Sequence, residues 1–189
     1  SGAVNCLFRS SHGILHGTNT DGEASIKTFI GKFGPIEDKS VVVLGAGGAG
    51  KAVASYFSLA SKNIIIVSRS KNDKQYADKI NVTWKSWNMI DECITNADIV
   101  VNCTSVGFGG QEFKSPLNER QIVQIKNSAI VYDIIYQPLK TKLLEMVNNR
   151  GVSTLNGLAM NLEQAVLAYT YCSKVNSLNR IRKIMEQVN

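Results

Sequence analysis

Apolar residues along this chain follow two alternating rhythms. Short unbroken runs, Val41–Leu44 and Asn63–Val67, read as strands buried on both faces. Ala97–Cys103 and Ser128–Ile135 repeat that pattern, and Val152–Leu155 is a short last run. Between the runs the spacing becomes helical. Lys51–Ala60 and Asn88–Asn96 read as helices, as does the set Leu139, Leu143, Leu144 and Val147, which Gly151 would close as a C-terminal cap. Strand and helix in alternation predict an α/β fold with a parallel, doubly wound sheet. The stretch Lys71–Trp87 stays open, since Asn72 with Gln75 suits a short helix while two tryptophans and Thr83 do not.

The two ends break the alternation. Ser1–Gly17 reads as strands and turns, and Thr20–Ile30 as a helix. Thr20 followed by Glu23 fits a capping box, which would put Asp21 in the first helical turn. Leu158, Leu162, Ala165, Val166 and Tyr169 mark one amphipathic helix near the C-terminus; Leu178, Ile181, Met185 and Val188 mark another. With no repeat, low-complexity tract or proline-rich linker, the ends read as pieces of a second lobe. The expected division is residues 1–18 as a remnant of that lobe, 19–155 as a linker helix with a nucleotide-binding domain, and 156–189 as helices returning to the lobe.

The chemistry concentrates where the first buried run ends. Gly45, Gly47 and Gly50 in Gly45-Ala46-Gly47-Gly48-Ala49-Gly50 fit G-x-G-x-x-G between a strand and a helix. The first glycine permits a tight turn, the second a close backbone approach to a pyrophosphate, and the third close helix–strand packing. Free N–H groups at the helix start would hold the anion. Gly45 to Lys51 also begins a Walker A loop, yet Ala52 stands where a magnesium-binding Ser or Thr is needed, which opposes an NTPase. A purely structural turn is the third reading. The next strand ends in Ser68-Arg69-Ser70-Lys71, with arginine where an NAD site usually carries an acid. A guanidinium fork with serine hydroxyls suits a ribose 2′-phosphate, and therefore NADP(H); the plainer alternative is a solvated basic loop.

Composition adds boundaries. With 44% hydrophobic residues the chain has ample core material, and no apolar run is long enough to span a bilayer. The first residues lack the ordered regions of a signal peptide, so a cytoplasmic location is the expectation. The net charge of +6 is scattered, which suits an anionic cofactor and small-molecule substrate as well as it would nucleic acid, and no nucleic-acid or membrane partner is expected. Cys6, Cys93, Cys103 and Cys172 show no C-x-x-C spacing, so reduced thiols and no zinc are expected. Gly13 and Gly17 interrupt any helix that would align His12 with His16, which read as loop histidines rather than metal ligands.

Five motifs in order carry a family resemblance: Gly2-Ala3-Val4-Asn5, Asn19-Thr20-Asp21-Gly22, Gly45-Ala46-Gly47-Gly48-Ala49, Asp133-Ile134-Ile135-Tyr136-Gln137-Pro138, and Asn156-Gly157-Leu158-Ala159-Met160 with Gln164. Over essentially its whole length the chain resembles shikimate dehydrogenases. The resemblance implies a Rossmann-like nucleotide domain and reversible reduction of 3-dehydroshikimate to shikimate by NADPH. It implies that Asn5 and Asp21 hold substrate hydroxyls with Asp21 catalytic, that Gln164 contacts substrate, and that Tyr136 lines the site. Gly45 to Ala49, Ser68, Arg69, Ser70, Thr104, Ser105, Val106, Gly157 and Met160 would meet the cofactor, Met160 beside the nicotinamide. A quinate-acting relative and a non-catalytic NADP-binding module remain rival readings, and the oligomeric state is open.

The chain also departs from that pattern. It has Cys6 where the family usually has threonine and Ser68 where asparagine precedes the arginine. Ser105 replaces a proline, Phe108 a methionine and Asn161 a leucine. In the family, a lobe ahead of the G-A-V-N motif carries the carboxylate-gripping serines and a lysine paired with the aspartate. With Ser1-Gly2 at its start, this chain is expected to lack that lobe and to turn over negligibly alone.

Overall fold

The computed structural model describes residues 2–173 and 177–187. The chain opens with an antiparallel hairpin, β1 (Cys6–Arg9) and β2 (Leu15–Thr18), in which Cys6 faces Thr18 and Phe8 faces His16. Helix α1 (Asp21–Phe33) leads into the alternating part. That part runs β3 (Val41–Leu44), α2 (Gly48–Ala60), β4 (Ile64–Ser68), α3 (Asp73–Lys79), β5 (Thr83–Ser86), α4 (Ile90–Asn96), β6 (Ile99–Asn102), α5 (Glu119–Gln124), β7 (Ile130–Asp133), α6 (Lys142–Asn148) and β8 (Ser153–Leu155). Helices α7 (Leu158–Cys172) and α8 (Leu178–Glu186) follow.

Strands β3 to β8 form one parallel sheet in the order β5-β4-β3-β6-β7-β8. This is the doubly wound arrangement the alternation predicts, and its order reverses between β3 and β6. Side chains alternate faces every residue along a strand. Val41 and Val43 therefore join Phe29, Phe57, Ile66, Val101 and Tyr132 on one face of the sheet. Val42 and Leu44 join Ile94, Val100, Leu117, Val131 and Leu143 on the other. All four β3 residues are buried, each such side chain contributing roughly 1.5–3 kcal/mol on leaving water. Phe29 anchors the first layer through edge contact with Phe57 at 5.8 Å and a tilted contact with Tyr132 at 6.1 Å.

Several local expectations are corrected. The Thr20–Glu23 capping box does not form. Asn19 Oδ1 accepts the Gly22 N–H at 3.2 Å instead, Glu23 pairs with Lys27, and Asp21 still opens α1. The open stretch after Lys71 becomes α3 and β5, although the Asn72 side chain caps nothing. Leu139 lies outside α6 and is exposed; the helix starts after Thr141, whose Oγ1 accepts the Leu144 N–H at 3.3 Å. Gly151, at φ +73°, takes the left-handed turn beyond the Asn149 cap. In α7 the buried residues are Met160, Val166 and Leu167, whereas Leu158 and Tyr169 are exposed. Helix α7 packs against α1, α8 and β1. His16 sits on β2, stacked 5.4 Å from Phe8, rather than in a loop. Val188 lies outside the described residues.

Candidate active site

A cleft of about 1040 Å³ opens where the sheet order reverses, at the carboxyl ends of β3, β4 and β6. Open α/β sheets bind ligands at this position. Its floor is Gly45–Ala49, one wall is Ser68, Arg69 and Ser70, and the other is Thr104, Ser105 and Val106. Each motif glycine has its own physical reason. Gly45 adopts φ +94°, the left-handed region, as the chain turns off β3. A Cβ on Gly50 would collide with the Gly45 carbonyl, so α2 packs directly on the turn. A Cβ on Gly47 would meet nothing within 4 Å, so the space over its backbone is left to a ligand. That cradle fits a dinucleotide pyrophosphate.

The walls refine the expected roles. Arg69 is exposed at the rim, free to reach a phosphate. Ser68 is not: its buried hydroxyl donates to Asp73 Oδ2 at 2.7 Å and accepts from Trp84 Nε1 at 2.9 Å. That hydroxyl is committed to the protein, so of the two serines only Ser70 offers one to the cleft. The Lys51 ammonium lies over the Tyr76 ring, 5.4 Å from its centroid, and is not part of the cleft lining. Asp73, Trp87, Gln111 and Lys114 also line the cleft and escaped the sequence reading. Only the glycine-rich Gly107–Gly110 segment, ahead of Gln111 and Lys114, signalled a loop after β6.

Beside the glycine turn lies a polar cluster drawn from three distant segments. Asn5 Nδ2 donates to Asp21 Oδ1 at 2.7 Å and to Thr20 Oγ1 at 3.1 Å. Asn5 Oδ1 accepts the Thr20 N–H at 2.9 Å, and Thr20 Oγ1 stands 3.4 Å from Gln164 Oε1 on α7. Two close packings bring this cluster to the cleft. A Cβ on Gly22 would strike Tyr56 and the Ala52 carbonyl of α2, and one on Gly48 would lie 3.7 Å from Ala3. Partial burial pushes the Asp21 carboxyl above its ordinary range, and the Asn5 hydrogen bond opposes that shift. Desolvation first, then the neighbouring Asp133 and Asp21 charges, push the Cys103 thiol up.

A buried network supports the far wall. Asp133 is fully buried; its Oδ1 accepts from Asn102 Nδ2 at 3.0 Å and Ile135 N at 3.2 Å, and its Oδ2 from Thr141 Oγ1 at 2.7 Å. Asn102 Oδ1 accepts the Thr104 N–H and hydroxyl, which fixes the Thr104–Val106 backbone. Burial raises the Asp133 carboxyl to about 6, against those hydrogen bonds.

Three expected site residues fall outside both groups. Tyr136 stands exposed in the loop after β7, with no bond to the polar cluster. Gly157 presses its backbone on Ile134, leaving no room for a Cβ, and its N–H goes to Ile135 O at 2.9 Å. Met160 is buried in the core beside the sheet rather than on the cleft wall.

Known proteins resemble this chain in sequence and fold. The sequence profile of the shikimate / quinate 5-dehydrogenase family matches residues 30–134. A shikimate dehydrogenase (NADP(+)) of Alkaliphilus oremlandii is 33% identical over 186 residues, covering 92% of this chain and 64% of that protein. Among solved structures, a shikimate dehydrogenase in complex with NADP+ superposes with a TM-score of 0.83 at 28% identity, over 99% of this chain and 67% of that one. The quinate dehydrogenase of Corynebacterium glutamicum in complex with NAD gives 0.84 at 27%, over 98% and 68%. This chain thus spans less than two thirds of the length of relatives such as the Alkaliphilus enzyme. With its cleft, its glycine turn and more than half of its length matched by one profile, the chain belongs to the shikimate / quinate 5-dehydrogenase family.

Proposed function

We propose that this chain supplies the nucleotide-binding half, and part of the substrate face, of an NADP(H)-dependent oxidoreductase interconverting 3-dehydroshikimate and shikimate. The observation that carries the reading is the Asn5–Thr20–Asp21–Gln164 cluster set against the glycine turn, which puts hydroxyl-binding groups next to a dinucleotide cradle. A relative named for NADP(+) and a solved complex with NADP+ support the choice of cofactor, and the exposed Arg69 supplies the partner for its extra phosphate.

The bound nicotinamide would supply or take up the hydride. The residues of this chain bind the cofactor and meet part of the substrate. The backbone of Gly45–Ala49 holds the pyrophosphate, and Arg69 and Ser70 hold the 2′-phosphate. Asn5 occupies one oxygen of Asp21 and fixes the carboxylate plane, leaving the other oxygen to a substrate hydroxyl. With its affinity for protons raised by burial, Asp21 is suited to take the hydroxyl proton on oxidation and return it on reduction. Gln164 and Thr20 offer further polar contacts, and Tyr136 would line the substrate side.

Calorimetric titration of the 189-residue chain tests the cofactor half of the reading, with NADPH expected to bind more tightly than NADH. Equal affinities would reject the Arg69 assignment. NADP+ reduction with shikimate and with quinate, in the protein that carries this sequence, tests the rest. Shikimate is the expected substrate, preference for quinate would reassign it, and nucleotide binding without turnover on either acid would leave a non-catalytic module.

A further inference from the structure

The four cysteines, without motif spacing in sequence, are not equally placed in space. Cys6, on β1, is buried at 8% exposure with its Sγ 4.0 Å from the Ala168 carbonyl on α7. Cys172, the last residue of α7, is exposed and lies one helical turn beyond Ala168, whose carbonyl meets the Cys6 thiol. The neighbouring pair Phe8 and Tyr171 stacks at 5.2 Å and holds β1 against the same helical turn. Both thiols are free in this structure.

We propose that Cys6 and Cys172 form a reversible disulfide that staples the β1–β2 hairpin to the end of α7. The oxidant is a low-molecular-weight disulfide. The exposed Cys172 thiolate attacks it, forming a mixed disulfide and releasing one small thiolate. Cys6 then attacks the Cys172 sulfur and releases the second. Two protein thiols lose two electrons, their two protons leave on the two small thiols, and one S–S bond replaces another. Burial, then the adjacent Cys172, pushes the Cys6 thiol up, which suits it to the second, intramolecular step rather than the first. The bond closes most of the chain into one loop, the arrangement in which a cross-link restricts the unfolded ensemble most. It also ties α7, which carries Gln164, to the strand that Asn5 directly precedes, so the state of the staple sets how freely the polar cluster opens.

The test is to treat the reduced chain with oxidised glutathione and map its peptides. The expected result is a mass loss of two hydrogens, a peptide pair joining Cys6 to Cys172, reversal by dithiothreitol and a rise in melting temperature. Amide exchange in β1 and β2 should slow on oxidation. Cys172→Ser, at an exposed position, should fold normally and lose the link, the temperature rise and the slowed exchange. Glutathione persisting on Cys172 with Cys6 still free would overturn the proposal, as would a link through Cys93 or Cys103, or an unchanged response in Cys172→Ser.

Discussion

The nucleotide cleft and the polar cluster beside it are built by opposite means. The cleft floor is backbone: one contiguous turn whose glycines provide a left-handed residue, an open approach and a close helix contact. The cluster is side chain: Asn5, Thr20, Asp21 and Gln164 arrive from a strand edge, a helix start and a distant helix, with Thr20 and Gln164 separated by 144 positions. A backbone-built site is sensitive to an added Cβ and indifferent to most side chains around it. A side-chain-built site is sensitive to each member, because each fixes the direction of the next.

The sharpest break of that comparison is Asp21→Asn. Turnover of shikimate in the protein that carries this sequence should fall by roughly 10²–10⁴-fold, the usual range for a general acid–base group, while NADPH affinity stays nearly unchanged. Undiminished turnover would remove Asp21 from catalysis, and an equal loss of NADPH binding would merge the two regions into one.

Next in size is the buried network behind the far wall of the cleft. Asp133→Ala leaves the Asn102, Thr141 and Ile135 donors without their acceptor and should cost about 2–4 kcal/mol in denaturant unfolding. Its pH dependence has a definite sign. The folded-state value of about 6 lies above the ordinary 3.8, so the folded protein keeps the proton through that window and the unfolded chain does not. The Asp133 contribution to stability therefore falls as pH rises from 3.8 to about 6 and is level above it. Asp133→Asn should flatten that slope, which amounts to about 1–3 kcal/mol. An unchanged slope would locate the titration elsewhere.

Smaller effects separate backbone from side chain within the cleft. Gly47 has extended backbone angles and open space at its missing Cβ, so Gly47→Val should cost only the loss of a favourable helix N-cap, about 1 kcal/mol of stability. It should weaken NADPH and NADH alike, by about tenfold to a hundredfold. Selective loss of one cofactor would argue against pyrophosphate over that turn. Arg69→Ala should lower NADPH affinity about tenfold and spare NADH, measured by calorimetry. Smallest is Ser68→Ala, which should cost roughly 1 kcal/mol of stability through Asp73 and Trp84 and leave the cofactor preference as it was. A changed preference would return the Ser68 hydroxyl to the phosphate site.

The cleft was the legible half. Val41–Leu44, the glycine turn and Arg69 are neighbours in sequence, and burial period, left-handed φ and a strand end are local properties that leave local marks. The polar cluster was reachable only through ordered motifs, because nothing near Gln164 announces Thr20 or Asn5. Local reasoning failed where a distant group offered a better partner. At Thr20 the hydroxyl turned from its own helix end toward Asn5 and Gln164. At Ser68, Trp84 from a strand of undecided sequence claimed the hydroxyl expected at the phosphate. Lys114 reaches the cleft from a long loop whose path has no periodicity to read.

By itself, then, the sequence determined the alternation of strands and helices, the reversal-point turn and the charge beside it. Each follows from repeat period, backbone freedom or residue chemistry within a few positions. Tertiary structure decided which polar groups are spent and which are free, that Asp133 is buried with three donors, and that Cys6 packs on the last turn of α7. Hydrogen bonds and desolvation depend on what packs nearby, and the groups that pack nearby come from opposite ends of the chain.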